Sequence, residues 1–478
     1  MKTKEQFDLI IIGGGAGAFA AAIRANELGA KTALINSGLP LGGTCVNVGC
    51  VPSKTLLYAG EILHHAKHHS IPGIELEVKN FDFQKVVQDE LSLVEKLRQE
   101  KYEKVLKNLE HVTAIEGKAK FVSGDEIEVD FGGNPAAERS TLRGKKFIIA
   151  AGSTATVPPI EGIRDVGFLT HVEALALKTQ PKELIVVGAG PLGLEFAQMY
   201  ARFGTNVTVL QRGPSILPRA EKALADRLQE VLKEEGIMIK TNAEVKSART
   251  SGGKKILSYL ARGKPEEVAG DEILLAAGKT PNTKDLGLQK AGVQVDERGA
   301  VVVTPALQTS QPHIFAVGDV TNLPLRQEPT AGHEGTLAAE NALSGTEKTI
   351  DYQSVPWTVF TDPQLAGVGF TEEEQMKHMG VCACRTVSFE DVPKAIIMHR
   401  TEGLIKMAIH PQTKQIMGVH ILAPNAGELI AEAMMLVKNK NTIDDVVESL
   451  PMFPTLSEAI KLAALSFTKD ISKLSCCI

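Results

Sequence analysis

Six cysteines in 478 residues are too few to staple a chain of this size, which excludes a disulfide-built secreted scaffold. An excess of one charge is also missing. The 52 basic and 57 acidic residues leave a formal net charge of −5, so neither nucleic acid nor an anionic membrane has an electrostatic foothold. Nor is there an uninterrupted apolar run of membrane-spanning length. The longest stretch, Leu9 to Ile23, contains four glycines, and Glu5 and Asp8 before it spoil the basic start of a signal peptide. It reads as a buried strand entering a helix. Apolar content of 43% and charged content of 23% are ordinary for a soluble globular protein. The length calls for about three domains, and a cytoplasmic protein is the expectation.

What the chain does have is a repeated nucleotide-binding pattern. Phe7–Ile12 is apolar but for Asp8, as suits a parallel strand buried on both faces. Gly13-Gly14-Gly15-Ala16-Gly17-Ala18 follows, then an alanine-rich helix to Leu28 and a strand over Lys31–Ile35. The small residue Ala18 lets that helix lie close to the strand. The arrangement returns as strand Glu183–Val187, turn Gly188-Ala189-Gly190-Pro191-Leu192-Gly193, a helix to about Phe203 and a strand over Asn206–Leu210. One glycine turn is weak evidence; two in strand–turn–helix context predict two dinucleotide sites, with pyrophosphate at each helix N-terminus. The end of the strand after each turn is where an acid usually meets the ribose. Here the first has Asn36 and the second Gln211-Arg212, with Arg219 a loop further on. An absent acid beside two arginines favours NADPH over NADH, unless both are merely surface residues.

The six cysteines fall in three close sets: Cys45/Cys50, Cys382/Cys384 and Cys476/Cys477. The first lies in Gly42-Gly43-Thr44-Cys45-Val46-Asn47-Val48-Gly49-Cys50-Val51-Pro52-Ser53-Lys54, a spacing suited to a reversible disulfide that takes electrons from a neighbouring cofactor. The last is an adjacent pair on a terminal tail, a poor structural device but a good one for capturing a soft metal ion. Cys382 and Cys384 alternate on an expected strand and read as packing or surface. His64, His65, His68 and His69 fall on an expected helix; their spacing could bind a metal, but a solvated face is the expected role.

From end to end the chain resembles the pyridine-nucleotide disulfide oxidoreductases. The two glycine turns, the Cys45–Cys50 segment, Ala150-Ala151-Gly152, Ala277-Gly278 with Pro281-Asn282, and Ala316-Val317-Gly318-Asp319 occur in the family's order. The implied fold class is α/β, glutathione-reductase-like, with two Rossmann-like dinucleotide-binding domains and an α+β carboxyl-terminal dimerisation domain. The expected layout is an FAD-binding domain over 1–152 that resumes at 283–345, an NAD(P)H-binding domain over 153–282, and a dimerisation domain over 346–478 ending in the Cys-Cys tail. The resemblance assigns FAD and NADPH to Gly13, Gly15, Gly17, Ala18, Asn36, Gly43, Thr44, Lys54, Ala119, Gly152, Gly188, Gly190, Gly193, Arg212, Gly278 and Asp319. Asp319 matches the ligand of the ribityl chain. Lys54 matches a lysine near the flavin's reactive nitrogen, and Glu195 its ion-pair partner. Cys50 matches the sulfur nearer the flavin, and Cys45 the sulfur that exchanges with substrate.

One family residue is missing. Glutathione, lipoamide and trypanothione reductases carry a His-Pro-Thr segment whose histidine, with a glutamate five residues on, protonates the leaving thiolate. Here the segment is Phe453-Pro454-Thr455, with Glu458 retained, and phenylalanine moves no proton. Together with the Cys476-Cys477 tail, Val359-Phe360-Thr361-Asp362-Pro363-Gln364, Asp391-Val392-Pro393-Lys394-Ala395 and Leu462-Ala463-Ala464, this resembles the mercuric reductases. The resemblance implies a homodimer with a shared active site, in which Cys476 and Cys477 of one subunit pass Hg(II) to Cys45 and Cys50 of the other. It also implies that the amino-terminal metal-binding domain of longer members is lacking, and that Phe168 and Phe453 replace tyrosines which help position the metal. The runners-up are a thioredoxin-reductase-like enzyme, which would retain the histidine, and a flavoprotein that sequesters soft metals without turnover.

Overall fold

The computed structural model describes residues 5–132 and 140–475. The chain forms two compact units, one of Met1–Ser53, Val87–Thr156 and Gly278–Tyr352, the other of Lys54–Val86, Val157–Ala277 and Gln353–Ile478. In the first unit, strand Gln6–Ile12 lies between Thr32–Asn36 and Ser140–Ile149, with Val112–Glu116 beyond Thr32–Asn36, all parallel. Alternate residues of the central strand enter two cores. Ile10 and Ile12 join Phe147 and Ile149 on one face; Leu9 and Ile11 join Ile148 and Leu337 on the other. This is why the strand is apolar without alternation.

The late segment returns to this sheet, with Ile314–Ala316 pairing in parallel with Ser140–Ile149. Regular pairing begins only after Pro312, which has no N–H to donate. Helix Glu328–Ser344 then packs on helix Ala16–Glu27, where Gly335 and Gly17 touch so closely that a Cβ on Gly335 would strike the Gly17 carbonyl.

The second unit contains a parallel sheet in the order Met238–Thr241, Asn206–Gln211, Glu183–Val187, Glu272–Leu275. It also contains an antiparallel sheet in the order Trp357–Val359, Gln364–Gly369, Ile416–Ala423, Leu404–Ile409, Ala383–Ser388. Helices Ala426–Lys438 and Glu458–Leu465 bury Ile430, Ile460 and Ala463 against Ile405, Met407 and Val419 of that sheet. The second helix starts after Ser457 and ends at Leu465, and among the described residues turns and a short 3-10 helix, Ile471–Lys473, follow it.

Candidate active site

The two glycine turns share one construction. Gly13 (φ +131°) follows its strand in a conformation that favours glycine, and a side chain there would run into the Ala150 carbonyl. Gly188 (φ +112°) stands in the same relation to the Ala276 carbonyl. Each turn opens a helix, Ala16–Glu27 or Pro191–Phe203, that has no acidic residue in its first turn and no side-chain cap among the described residues. Such helix starts leave amides and positive dipole for an anionic group, so the residues present fit the pyrophosphates of FAD and a nicotinamide dinucleotide. Gly190 has open space where a Cβ would point, whereas Gly193 and the buried Ala18 supply the close packing behind the turns.

The other expected cofactor residues divide into groups. Asp319 accepts a 2.6 Å hydrogen bond from Ser153 Oγ and is held where the chain re-enters the first sheet. Gly152 (φ +66°) lies between Asp319's partner strand and the Ala150-Ala151 segment, and the carbonyl of Gly278 (φ +114°) accepts the Thr156 N–H at 2.9 Å. Asn36 uses its amide to donate to the Leu39 carbonyl at 2.9 Å, and its side chain lies where a Gly14 Cβ would be. Gln211 behaves alike, accepting from Ala189 N–H at 3.1 Å and donating to the Ser215 carbonyl at 3.1 Å. Both residues that replace an acid therefore brace the adjoining loops. Arg212 and Arg219 are exposed. The side chain of Ala119 is in the core of the first unit, which leaves its main chain as the part able to meet a ligand.

Gly43 (φ +59°) brings the cysteine segment onto the first turn, where its Cα region abuts Gly15 and Gly42 N–H donates to the Gly14 carbonyl at 2.8 Å. Thr44 is exposed, Cys45 half-buried and Cys50 exposed, and the two cysteines are not joined by a disulfide in this structure. Cys45 lies in the short helix Gly43–Val48, and Cys50 opens the 19-residue helix Cys50–His68. A thiolate at that helix N-terminus is favoured by the dipole. A hydrogen bond with Cys50, together with burial, pushes the Cys45 thiol up, so the pair holds a proton on Cys45.

One turn after Cys50, Lys54 Nζ bonds Glu195 Oε2 at 2.8 Å. Glu195 is buried, and its other oxygen accepts the Phe360 N–H at 2.9 Å. The Phe360 ring lies 4.6 Å from Lys54 Nζ, a cation–π contact. Two residues later, Asp362 exchanges a reciprocal pair of bonds with the Gln198 amide: N–H to Oε1 at 2.8 Å, and Nε2 to the Asp362 carbonyl at 2.7 Å. Its carboxylate accepts from Arg202 at 3.0 Å and Arg400 at 2.6 Å, and lies 3.1 Å from His65 Nε2.

These contacts correct the expectation of a solvated histidine face. Bonds to Asp362 and Glu61 raise His65 to about 9, so it is a cation at neutral pH. Burial and the Arg202 charge lower His64 to about 3. Its 3.9 Å approach to Glu235 does not reverse this, since Glu235 is already engaged by two bonds from Arg202. Burial alone would raise the Asp362 carboxyl. The His65 bond and the Arg400 and Arg202 charges outweigh it and hold the group well below the usual carboxylate range. A second correction concerns Cys382 and Cys384. They are joined as a disulfide at the start of the sheet's edge strand.

The amino-acid sequence from residue 7 to 341 matches the pyridine nucleotide-disulphide oxidoreductase family, and 355–464 matches that family's dimerisation domain. The chain belongs to the pyridine nucleotide-disulphide oxidoreductases. It is 37% identical over 471 residues to a mercuric reductase from Staphylococcus aureus, covering 98% of this chain and 84% of the relative. It is 38% identical over 473 residues to one from Streptomyces lividans, covering 98% of each. Among solved structures it is similar to the HOCl-induced flavoprotein disulfide reductase RclA from Escherichia coli in a Cu(II) complex, with TM-score 0.86, 28% identity, and coverage of 97% of this chain and 100% of that one.

As an oxidoreductase of this family the chain departs at the carboxyl end. Phe453 precedes a cis bond to Pro454 and is partly exposed, next to the strongly exposed Leu450 and Met452. Glu458 Oε2 accepts the Thr455 N–H at 3.2 Å, so the retained glutamate serves the start of its helix. Phe168 packs against the core that includes Val187 and Leu275. Cys476 and Cys477 lie outside the described residues. No described helix is long and apolar enough to cross a membrane.

Proposed function

We infer that this chain is a mercuric reductase, a flavoprotein that reduces Hg(II) to Hg(0) with NADPH. The observation that carries the reading is its identity of 37–38% with enzymes of that name along almost its whole length. Phe453 supports it, because a disulfide substrate would need a proton donor there that phenylalanine cannot be. The match to the family's dimerisation domain supports a homodimer. The proposed use of NADPH fits a cytoplasmic enzyme.

FAD, when bound, would supply two-electron chemistry between a nicotinamide and the dithiol. The first glycine turn, Gly43, Thr44, Gly152 and Asp319 would hold FAD. The second turn would hold NADPH, with Arg212 available to its 2′-phosphate. Lys54, oriented by Glu195, would balance negative charge on the reduced cofactor. Cys50 at its helix N-terminus is the thiolate of the pair, and Cys45 keeps the proton until metal displaces it. Hg(II) arrives as a thiol complex on Cys476 and Cys477 of one subunit and transfers to Cys45 and Cys50 of the other. Each new S–Hg bond releases one thiol ligand. The domain limits proposed from the sequence, 1–152 with 283–345, 153–282 and 346–478, place these residues in their three roles.

The test is NADPH oxidation with and without Hg(II) in excess thiol. Hg(II) should accelerate it, and Cys476→Ala with Cys477→Ala should remove the acceleration. No acceleration in the unmodified protein refutes the reading. Cu(II) belongs in the same assay as a second acceptor, since the similar flavoprotein RclA was solved with that ion.

A further inference from the structure

Helix Pro191–Phe203 presents Glu195, Gln198 and Arg202, spaced three and four apart and so on one face. All three grip the same short segment: Glu195 takes the Phe360 N–H, Gln198 clasps both main-chain groups of Asp362, and Arg202 binds its carboxylate. Helix Cys50–His68 touches that segment twice. Lys54 and His65 are eleven residues apart, about three turns at 3.6 residues per turn, and therefore share a face. Lys54 meets Glu195 and the Phe360 ring; His65 meets Asp362. Arg400 closes the remaining side of the carboxylate.

We propose that Asp362 is a positioning residue of the redox centre, acting through Phe360 and Glu195 to fix the Lys54 ammonium. Asp362 touches no reacting atom. It locks the main chain on which Phe360 sits, so the N–H that orients Glu195 and the ring that flanks Lys54 are both held from two residues away. A buried carboxylate facing two arginines and a histidinium is a poor way to add stability alone, since its desolvation cancels much of the attraction. It is a good way to hold one geometry, because every partner fixes a direction.

The proposal rests on the flavoprotein reading, and its test needs no mercury. The FAD-loaded protein and its Asp362→Asn variant are compared for two-electron flavin potential, visible spectrum and melting temperature. Asp362→Asn should make the flavin harder to reduce by about tenfold in equilibrium constant, about 30 mV. Lys54→Met should shift it the same way, and adding Asp362→Asn to Lys54→Met should shift it no further. A purely structural role would lower the melting temperature and leave the potential and spectrum where they were, and that result overturns the proposal. If Asp362→Asn does not fold, Gln198→Met decides, because it releases the main-chain clasp and one bond to Glu235 while leaving the carboxylate's own partners in place. A potential shift in the same direction supports the assignment, and none overturns it. Absence of Hg(II) turnover would refute mercuric reductase activity without touching this result.

Discussion

Glu195 binds Lys54 with one oxygen at 2.8 Å and the Phe360 main chain with the other at 2.9 Å. The carboxylate is thus aimed by backbone before it aims the lysine. Glu195→Gln keeps an acceptor for Phe360 but removes the charge facing Lys54. Hydrogen bonds to charged groups contribute about 1.5–3 kcal/mol, so stopped-flow reduction of the flavin by NADPH should slow by roughly 10- to 100-fold. A wild-type rate would show that the pair does not serve the hydride step.

Stability should have a window bounded by two neighbouring histidines. His64, depressed to about 3, stays neutral when folded, whereas the unfolded chain takes up a proton near the ordinary histidine value. The unfolded state then binds more protons, and stability falls as pH drops below about 6.5. His65, raised to about 9, contributes stability fully below about 6.5 and loses it as pH rises through 9. Denaturant midpoints from pH 5 to 10 should therefore peak near pH 6.5 and fall on either side. His65→Gln should flatten the alkaline side; an unchanged alkaline limb would refute the ion pair with Asp362.

Asp362 is buried against three cationic partners, and Asp362→Ala takes the shared carboxylate from Arg202 and Arg400, which keep only the carboxylates of Glu235 and Glu402. Breaking a buried pair from one side costs about 3–5 kcal/mol, which should be visible as a large fall in denaturant midpoint. Asp362→Asn, which keeps hydrogen-bond acceptors for the arginines, should cost less. Equal losses in the two variants would mean that the negative charge itself, and not the shape or the acceptor oxygen, holds the segment.

Arg212 and Arg219 are exposed beyond a strand end that carries Gln211 in place of an acid. Arg212→Glu should lower the NADPH-to-NADH preference by about tenfold or more, by removing a charge-assisted bond and adding repulsion. The ratio of kcat/KM values reads this directly, and an unaltered ratio assigns 2′-phosphate recognition elsewhere.

Cys382 and Cys384 are disulfide-bonded. Alkylation of unreduced protein followed by peptide mass analysis should spare this pair, which labels only after reduction. Labelling of Cys382 and Cys384 without reductant would contradict the bond.

The fold was legible wherever a local pattern carries the information. Gly13 and Gly188 announce their turns because only glycine suits those conformations beside a carbonyl. The apolar run before each turn announces a strand buried on two faces. The clamp around Asp362 was not legible, because Lys54, His65, Gln198, Arg202, Asp362 and Arg400 come from four separate stretches of chain. The one available sign was the spacing of Glu195, Gln198 and Arg202 along a helix. His64 and His65 were misread for the same reason: helical spacing says which residues share a face, but not what covers it. Cys382 and Cys384 were assigned to one side of a strand, which places the two sulfurs near each other but does not reveal the bond.

The most direct test of the proposed activity counts products. Purified FAD-loaded protein is supplied with NADPH, Hg(II) and excess thiol, and elemental mercury vapour is measured against NADPH consumed. One Hg(0) per NADPH is expected, with release abolished in Cys45→Ser and Cys50→Ser variants that still bind FAD. NADPH oxidation without mercury vapour, or vapour release that survives loss of both cysteines, would contradict the assignment.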